Sequence, residues 1–171
     1  MGWSARGLLY LKIGKYKEAI ADLNESISIE QRAGDYINRA LAKYQINDLR
    51  GAMKDYDSAL DLNPNEFLGY YNRGLLRSQV GDNNRAIEDF DMVLRFNPKE
   101  YAAIYNRALL KAEIGDYQGA IDDYSTIIKQ YPNFVPAYYA RSEVRGKIGQ
   151  KKAAELDYMT AIHIENEEYS K

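Results

Sequence analysis

The sequence contains no cysteine, one histidine (His163) and one tryptophan (Trp3) in 171 residues. The absence of cysteine excludes a disulfide framework and a thiolate metal site, and it leaves the redox compartment open. With a single histidine there is no second imidazole or thiolate with which it could form a metal or catalytic centre. We therefore expect His163 to be a surface residue, and we expect no metal, no cofactor and no enzymatic activity.

The sequence also has no large excess of charge of one sign and no long hydrophobic run. The net charge is −2, from 23 basic and 25 acidic residues. Nucleic acids and anionic membranes attract cationic surfaces, so neither is an expected partner. The apolar runs are a few residues long, far below the roughly 20 residues that span a bilayer. The beginning of the sequence has no signal-peptide pattern. We expect a soluble chain whose compartment is open, cytoplasmic by default, since any signal sequence would lie outside this fragment.

A 34-residue repeat is the dominant feature that is present. Gly81, Gly115 and Gly149 mark one position of it, and Asn47 and Gly14 continue the series towards the start. This period is typical of stacked helix-turn-helix arrays. The predicted repeats are residues 1–32, 33–66, 67–100, 101–134 and 135–168. The first repeat lacks its opening position, which suggests a piece cut from a longer protein.

Each repeat is predicted to form two antiparallel helices. In the third repeat, apolar residues recur at helical spacing over residues 67–79, Gly81 interrupts the helix, and the pattern resumes over residues 83–96. The glycine position requires a positive φ, which asparagine tolerates best among the other residues. On the second helix, two equivalent positions are predicted to be core: a small residue (Ala19, Ala52, Ala86, Ala120, Ala154) and a large one four positions later (Leu23, Tyr56, Phe90, Tyr124, Tyr158).

These motifs resemble the tetratricopeptide repeat family. The third repeat carries them as Tyr70-x-x-x-Gly74, Gly81-Asp82, Ala86, Phe90 and Pro98. The resemblance implies an all-α fold, a right-handed α-solenoid of stacked antiparallel helix pairs. It also implies a concave groove lined by the first helices, and a non-catalytic scaffold for binding proteins or peptides.

Every repeat has an arginine where the family usually has an apolar residue, and every repeat has an aspartate 16 residues after that arginine. Neither position varies between repeats. The arginines are Arg6, Arg39, Arg73, Arg107 and Arg141, and the aspartates are Asp22, Asp55, Asp89, Asp123 and Asp157. An antiparallel hairpin brings such positions together, so we predict a structural ladder of ion pairs. The alternative is a cationic stripe that binds an acidic ligand. The strict recurrence of the aspartates favours the ladder.

The predicted peptide-binding residues lie on the first helices. They are Asn38, Asn72 and Asn106, Tyr71, Tyr105 and Tyr139, and Leu41, Leu75 and Leu109. Asparagine offers a donor and an acceptor to a peptide backbone, and tyrosine is enriched at binding hot spots. Two alternatives remain open: the amides cap or cross-link helices, and the tyrosines only pack between them.

Two other functions compete with peptide binding. One is an architectural role with possible self-association through the C-terminal helix pair, where Leu156, Met159 and Ile162 are expected near an unprotected end. The other is a regulatory module of a larger multidomain protein.

Overall fold

The computed structural model describes residues 2–169, and all regular secondary structure within them is helical. These residues form α1 (Trp3–Lys12), α2 (Tyr16–Ile29), α3 (Ala33–Gln45), α4 (Leu49–Leu62), α5 (Phe67–Gln79), α6 (Asn83–Phe96), α7 (Tyr101–Glu113), α8 (Tyr117–Gln130), α9 (Val135–Lys147) and α10 (Lys151–Tyr169). The prediction of an all-α fold is confirmed.

The helices group into two compact units, Met1–Val80 and Gly81–Lys171. In the first unit, consecutive helices from α1 to α5 pack against one another, and α1 also contacts α3. In the second unit, α6 to α10 do the same, and α7 also contacts α9. Contacts between neighbours in the chain are expected for a repeat protein, since each helix pair buries its apolar face on the adjacent pair.

The turn between the two helices of each repeat has the predicted backbone conformation. The residue in the glycine position has φ = 76° at Gly14, 63° at Asn47, 80° at Gly81, 87° at Gly115 and 78° at Gly149. In two repeats an aspartate then caps the second helix: Asp48 accepts a bond of 2.9 Å from the Gly51 amide, and Asp116 accepts one of 3.0 Å from the Gly119 amide. Both bonds satisfy amides that have no partner within the helix.

Replacing Gly115 with alanine is expected to destabilise the chain by about 1 to 2 kcal/mol, because a β-carbon disfavours positive φ. An added Cβ would meet nothing within 4 Å, so the cost is conformational and not steric. Gly146 lies inside α9 and is equally open. Gly146→Ala is therefore the matched control, and it should stabilise the chain by about 0.5 to 1 kcal/mol. Urea denaturation of both variants measures the contrast, and equal effects would contradict it.

Small residues let the paired helices approach closely, and large ones fill the space between successive pairs. Ala52 and Tyr56 belong to the core of the first unit, and Ala120 and Tyr124 to that of the second. Leu23, Tyr56, Phe90 and Tyr124 are at most 2% exposed, as predicted for this position. For Tyr158 the prediction of a core residue is wrong, since it is 50% exposed. No later helix follows α10 within residues 2–169 to cover it.

Candidate functional site

The arginines and aspartates of the repeats meet between paired helices. In four repeats the arginine binds the aspartate through both Nε and Nη2, a bidentate geometry that suits guanidinium and carboxylate. The Nε and Nη2 distances are 2.6 and 2.8 Å for Arg6–Asp22, 2.8 and 2.7 Å for Arg39–Asp55, 2.9 and 2.5 Å for Arg107–Asp123, and 2.9 and 2.7 Å for Arg141–Asp157. In the first repeat, the hydrogen bonds from Arg6 hold the pKa of Asp22 below its ordinary value. Arg73 lies in the first unit and Asp89 in the second, and their pairing stays a prediction.

A second cation reaches three of these buried aspartates. Its nitrogen lies 2.7 Å from the carboxylate in Lys43–Asp55, 2.9 Å in Lys111–Asp123 and 2.8 Å in Arg145–Asp157. The cation stands four residues after the ladder arginine, on the same face of the first helix. Sequence reasoning missed it, although the 34-residue phase of these basic residues carries the signal.

The ladder arginines also reach back to the preceding second helix. Their Nη1 atoms donate to Asn24 from Arg39 (2.7 Å), to Asp57 from Arg73 (2.7 Å), to Asp91 from Arg107 (2.6 Å) and to Ser125 from Arg141 (2.8 Å). These four acceptors occupy equivalent positions, two residues after the ladder aspartate. The sequence analysis did not identify them. Each of these arginines therefore links one repeat to the repeat before it.

An aromatic ring lies beside the guanidinium in four repeats. The guanidinium carbon is 4.7 Å from the ring centroid for Arg6 and Trp3, 5.2 Å for Arg39 and Tyr36, 5.5 Å for Arg73 and Tyr70, and 5.9 Å for Arg141 and Tyr138. These distances fall within the range of cation–π attraction. In the fourth repeat Ile104 takes the place of the ring, and it is buried.

A pocket lies between α3 and α5 in the first unit; we call it the α3–α5 pocket. Its volume is about 120 Å³, and it is lined by Leu41, Tyr44, Gln45, Tyr56, Asn72, Leu75 and Leu76. None of these side chains is charged at neutral pH. The Tyr44 hydroxyl donates to Gln79 Oε1 at 2.6 Å, which joins the two helices at the pocket. Burial raises the pKa of Tyr56, so its hydroxyl stays protonated.

The same pocket recurs in the second unit, between α7 and α9; we call it the α7–α9 pocket. Its volume is about 220 Å³, and its lining is Leu109, Ala112, Glu113, Tyr124, Ala140, Glu143, Val144 and Lys147. Each of the first seven residues stands 68 residues, which is two repeats, after one of the seven residues that line the α3–α5 pocket. The chemistry differs, because this lining is charged. Glu143 accepts a bond of 2.8 Å from Lys147, and Glu113 accepts one of 2.9 Å from Asn83.

The structure distributes the predicted groove residues over several environments. Leu41, Asn72 and Leu75 meet in the α3–α5 pocket, and Leu109 lines the α7–α9 pocket. Asn38 and Tyr71 are half-buried on α3 and α5.

The amides of two predicted groove asparagines bind their own helices. Asn72 Nδ2 donates to the Leu68 carbonyl at 2.9 Å, and Asn106 Nδ2 donates to the Ala102 carbonyl at 2.8 Å. Neither bond crosses to another helix. Each bond fixes the orientation of the amide on the surface of its helix.

The remaining two tyrosines pack edge-on against other rings. Tyr105 lies 5.8 Å from Tyr124 and 5.8 Å from Phe134 between ring centroids. Tyr139 lies 5.5 Å from Tyr158, and its hydroxyl donates to Glu165 at 2.8 Å. Burial raises the pKa of Tyr105, and the bond to Glu165 raises that of Tyr139. These contacts give both tyrosines a packing role.

No helix in residues 2–169 has the length and apolar character needed to cross a membrane. Within the same residues, no group of three or more histidine, cysteine or acidic side chains is placed to hold a metal ion.

Solved structures with the same fold include several of MamA. A crystal structure of MamA superposes with a TM-score of 0.89 at 17% identity, covering 96% of this chain and 97% of that chain. The MamA RS-1 ArsTM double mutant gives 0.90 at 18% identity, covering 99% and 96%. MamA 41-end from Desulfovibrio magneticus RS-1 gives 0.88 at 17% identity, covering 96% and 94%. At such identities the likeness shows the fold alone.

Sequence comparisons identify the family. Models described as tetratricopeptide repeat match residues 2–32 and 71–134, and one described as TPR repeat matches residues 40–81. A search of curated proteins finds no match. The repeat phase, the helix pairs and the three matches agree, and the chain belongs to the tetratricopeptide repeat family, whose fold serves as a scaffold for protein–protein interaction.

Proposed function

We propose that the chain binds an extended peptide or a partner helix, and that the α3–α5 pocket and the α7–α9 pocket, each within its own unit, can each receive a ligand side chain. The observation that carries this proposal is the recurrence of one pocket at equivalent positions two repeats apart, with a buried tyrosine in each. A pocket of this kind suits a peptide or a helix, because either presents side chains that can enter it.

The two pockets favour different side chains. Leu41, Leu75 and Leu76 make the α3–α5 pocket apolar, while Asn72 and Gln45 add amide groups that can bind a peptide backbone. The α7–α9 pocket carries Glu113, Glu143 and Lys147 instead. An apolar side chain suits the first pocket, and a polar or charged one suits the second.

The ion-pair ladder is, on this proposal, structural. Arg107 shows why: its Nε and Nη2 bind Asp123, and its Nη1 binds Asp91. A guanidinium whose three nitrogens already bind carboxylates has little capacity left for an acidic ligand. The neighbouring cation Lys111 is also paired with Asp123.

Self-association through α10 is the second candidate function. Leu156 and Met159 are 67% and 57% exposed, and both lie on the last helix. At the equivalent positions of the fourth repeat stand Asp122 and Ser125, which are polar. Exposed apolar residues at positions that are polar in another repeat favour contact with a second protein surface.

The groove proposal is tested by selecting peptides from a random library displayed on phage, with the purified chain as bait. The Asn72→Ala/Leu75→Glu double variant should weaken binding of the selected peptides at least about tenfold, because it removes an amide and puts a charge in an apolar pocket. Ala140 and Glu143 occupy the equivalent positions in the fifth repeat, so the substitutions suit the fold. Fluorescence anisotropy with labelled peptides measures the affinity.

Met159→Lys is the control, because it changes α10 and leaves both pockets intact. Peptide affinity should be the same for this variant as for the unmodified chain. Unchanged affinity in the pocket variant would overturn the groove proposal. If the chain forms oligomers that Met159→Lys dissociates, and no peptide is selected, self-association becomes the better-supported function.

A further inference from the structure

The loop between α8 and α9 departs from two of the loops at the same place in other repeats, those from α4 to α5 and from α6 to α7. In the loop from α4 to α5, Asn63 accepts from the Asn65 amide at 3.1 Å and donates to Glu66 at 3.3 Å. In the loop from α6 to α7, Asn97 accepts from the Lys99 amide at 3.2 Å and donates to Glu100 at 3.2 Å. Both loops thus close with the same asparagine–glutamate pair on either side of a proline.

In the α8–α9 loop, two aromatic residues replace this polar pair. Tyr131 stands in place of the asparagine, and Phe134 in place of the glutamate. The backbone turn is nevertheless retained: the Phe134 amide donates to the Tyr131 carbonyl at 3.0 Å, and the corresponding bond is 3.1 Å in each of the other two loops. The replacement therefore changes the surface of the turn and not its path.

The substituted loop forms one side of an aromatic cleft, which is lined by Tyr101, Gln130, Tyr131, Pro132, Asn133 and Phe134. Its volume is about 560 Å³, against about 220 Å³ for the α7–α9 pocket. Tyr101 packs edge-on against two rings, with centroids 5.6 Å from Tyr131 and 5.7 Å from Phe134. These contacts hold the rings in place, so little side-chain freedom remains to be lost on binding.

The lining of the cleft is neutral and presents aromatic surface to solvent. Tyr101 is 46% exposed and Tyr131 is 41% exposed. None of the six lining side chains is charged at neutral pH, whereas the other two loops carry Glu66 and Glu100 at the position of Phe134. The turn does not require Tyr131, since the other two loops make it with polar side chains, while Phe134 is half-buried and also packs against the core of the second unit. A neutral, apolar ligand fits this lining best.

We propose that the aromatic cleft binds a proline-rich segment of a partner protein in the polyproline II conformation. Proline rings pack well on aromatic faces, and aromatic-lined grooves recognise this conformation because it is already ordered before binding. A polyproline II chain has no internal hydrogen bonds, so its carbonyls accept bonds from donors such as the Tyr101 and Tyr131 hydroxyls. The proposal does not depend on peptide binding in the two pockets between first helices.

The test is titration of the whole chain with a blocked oligoproline peptide, followed through tyrosine fluorescence and through the NMR shifts of the aromatic rings. The decisive variant is Tyr131→Asn/Phe134→Glu, which gives the loop the sequence Asn-Pro-Asn-Glu, identical to residues 63–66. Because the chain already folds that sequence into the same turn, the variant should keep its helical circular dichroism. Its oligoproline affinity should be at least about tenfold lower, a loss typical of removing binding hot spots.

Two controls make every outcome decisive. The Asn72→Ala/Leu75→Glu variant should bind oligoproline as the unmodified chain does, which separates this site from the α3–α5 pocket. N-acetyltryptophanamide, a single apolar ring, should bind more weakly than oligoproline. The proposal is overturned if oligoproline fails to bind, if the loop variant binds it equally well, if the pocket variant loses it, or if the single ring binds as tightly.

Discussion

Replacing Asp123 with alanine is expected to destabilise the second unit by about 3 to 5 kcal/mol, the usual cost of breaking a buried ion pair by removing one partner. Asp123 is 6% exposed and faces both Arg107 and Lys111. Its loss would remove the carboxylate that Lys111 binds and would leave Arg107 with Asp91 alone, and both cations are only about one fifth exposed to water. The poorly solvated charge that remains on these cations contributes more to the loss of stability than the lost ion-pair attraction does.

Asp91→Ala is the matched control for this prediction. Asp91 also binds Arg107, at 2.6 Å, but its side chain is 48% exposed. An exposed pair is screened by water, so this variant should cost no more than about 1 kcal/mol. Urea denaturation gives the free energies of unfolding, and native-state hydrogen exchange should show faster opening of α7 and α8 in the Asp123 variant. Similar losses from both variants would show that burial does not set the energy of the ladder.

The spacing of arginine and aspartate along the sequence predicted much of this geometry. An offset of 16 residues, held in every repeat, places both side chains on facing sides of a helix hairpin, and four such pairs form with bidentate geometry. The second cation lies within one hairpin, and its 34-residue phase carries a signal for it, whereas the backward contact could not be predicted in the same way. The backward contact depends on how the first helix of a repeat packs against the second helix of the repeat before it, as when Arg107 on α7 reaches Asp91 on α6, and a hairpin considered alone contains no information on that packing.

The groove was harder to predict than the ladder. Leu41, Asn72 and Leu75 share a pocket, but Tyr105 packs edge-on against Tyr124 and Phe134. Repeat phase places a residue on a helix face, while the neighbouring rings decide whether it points to solvent. The sequence analysis likewise passed over the substitution at Tyr131, because a single departure from a repeat does not alter its period.

Whether the large residue of the second helix is buried depends on the place of its repeat in the series. Tyr124 and Tyr158 occupy equivalent sites, yet they are 1% and 50% exposed. Tyr124 belongs to a core cluster completed by α9, to which Ala137 and Val144 contribute. Tyr158 lies on α10, with Tyr139 as its neighbouring ring. The same residue type in the same repeat position therefore gives two different burial states.

The different burial of these two tyrosines predicts a large difference in the stability lost when each is replaced with alanine. Tyr124→Ala is expected to cost about 3 to 5 kcal/mol, because it removes a fully buried ring and leaves a cavity beneath the α7–α9 pocket. Tyr158→Ala should cost about 1 kcal/mol or less, since a half-exposed ring loses far less buried area. Tyr124→Phe keeps the ring, and Phe90 shows that a phenyl group suits this position.

Thermal and urea unfolding of the three variants measure these free energies directly. Tyr124→Phe should lie close to the unmodified chain, which would assign the loss in Tyr124→Ala to the missing ring and not to the hydroxyl. If Tyr158→Ala proves as costly as Tyr124→Ala, α10 is covered in solution by another surface, because an exposed ring has no such energy to lose. A concentration-dependent melting temperature in the unmodified chain, absent in Tyr158→Ala, would then identify that surface as a second copy of the chain.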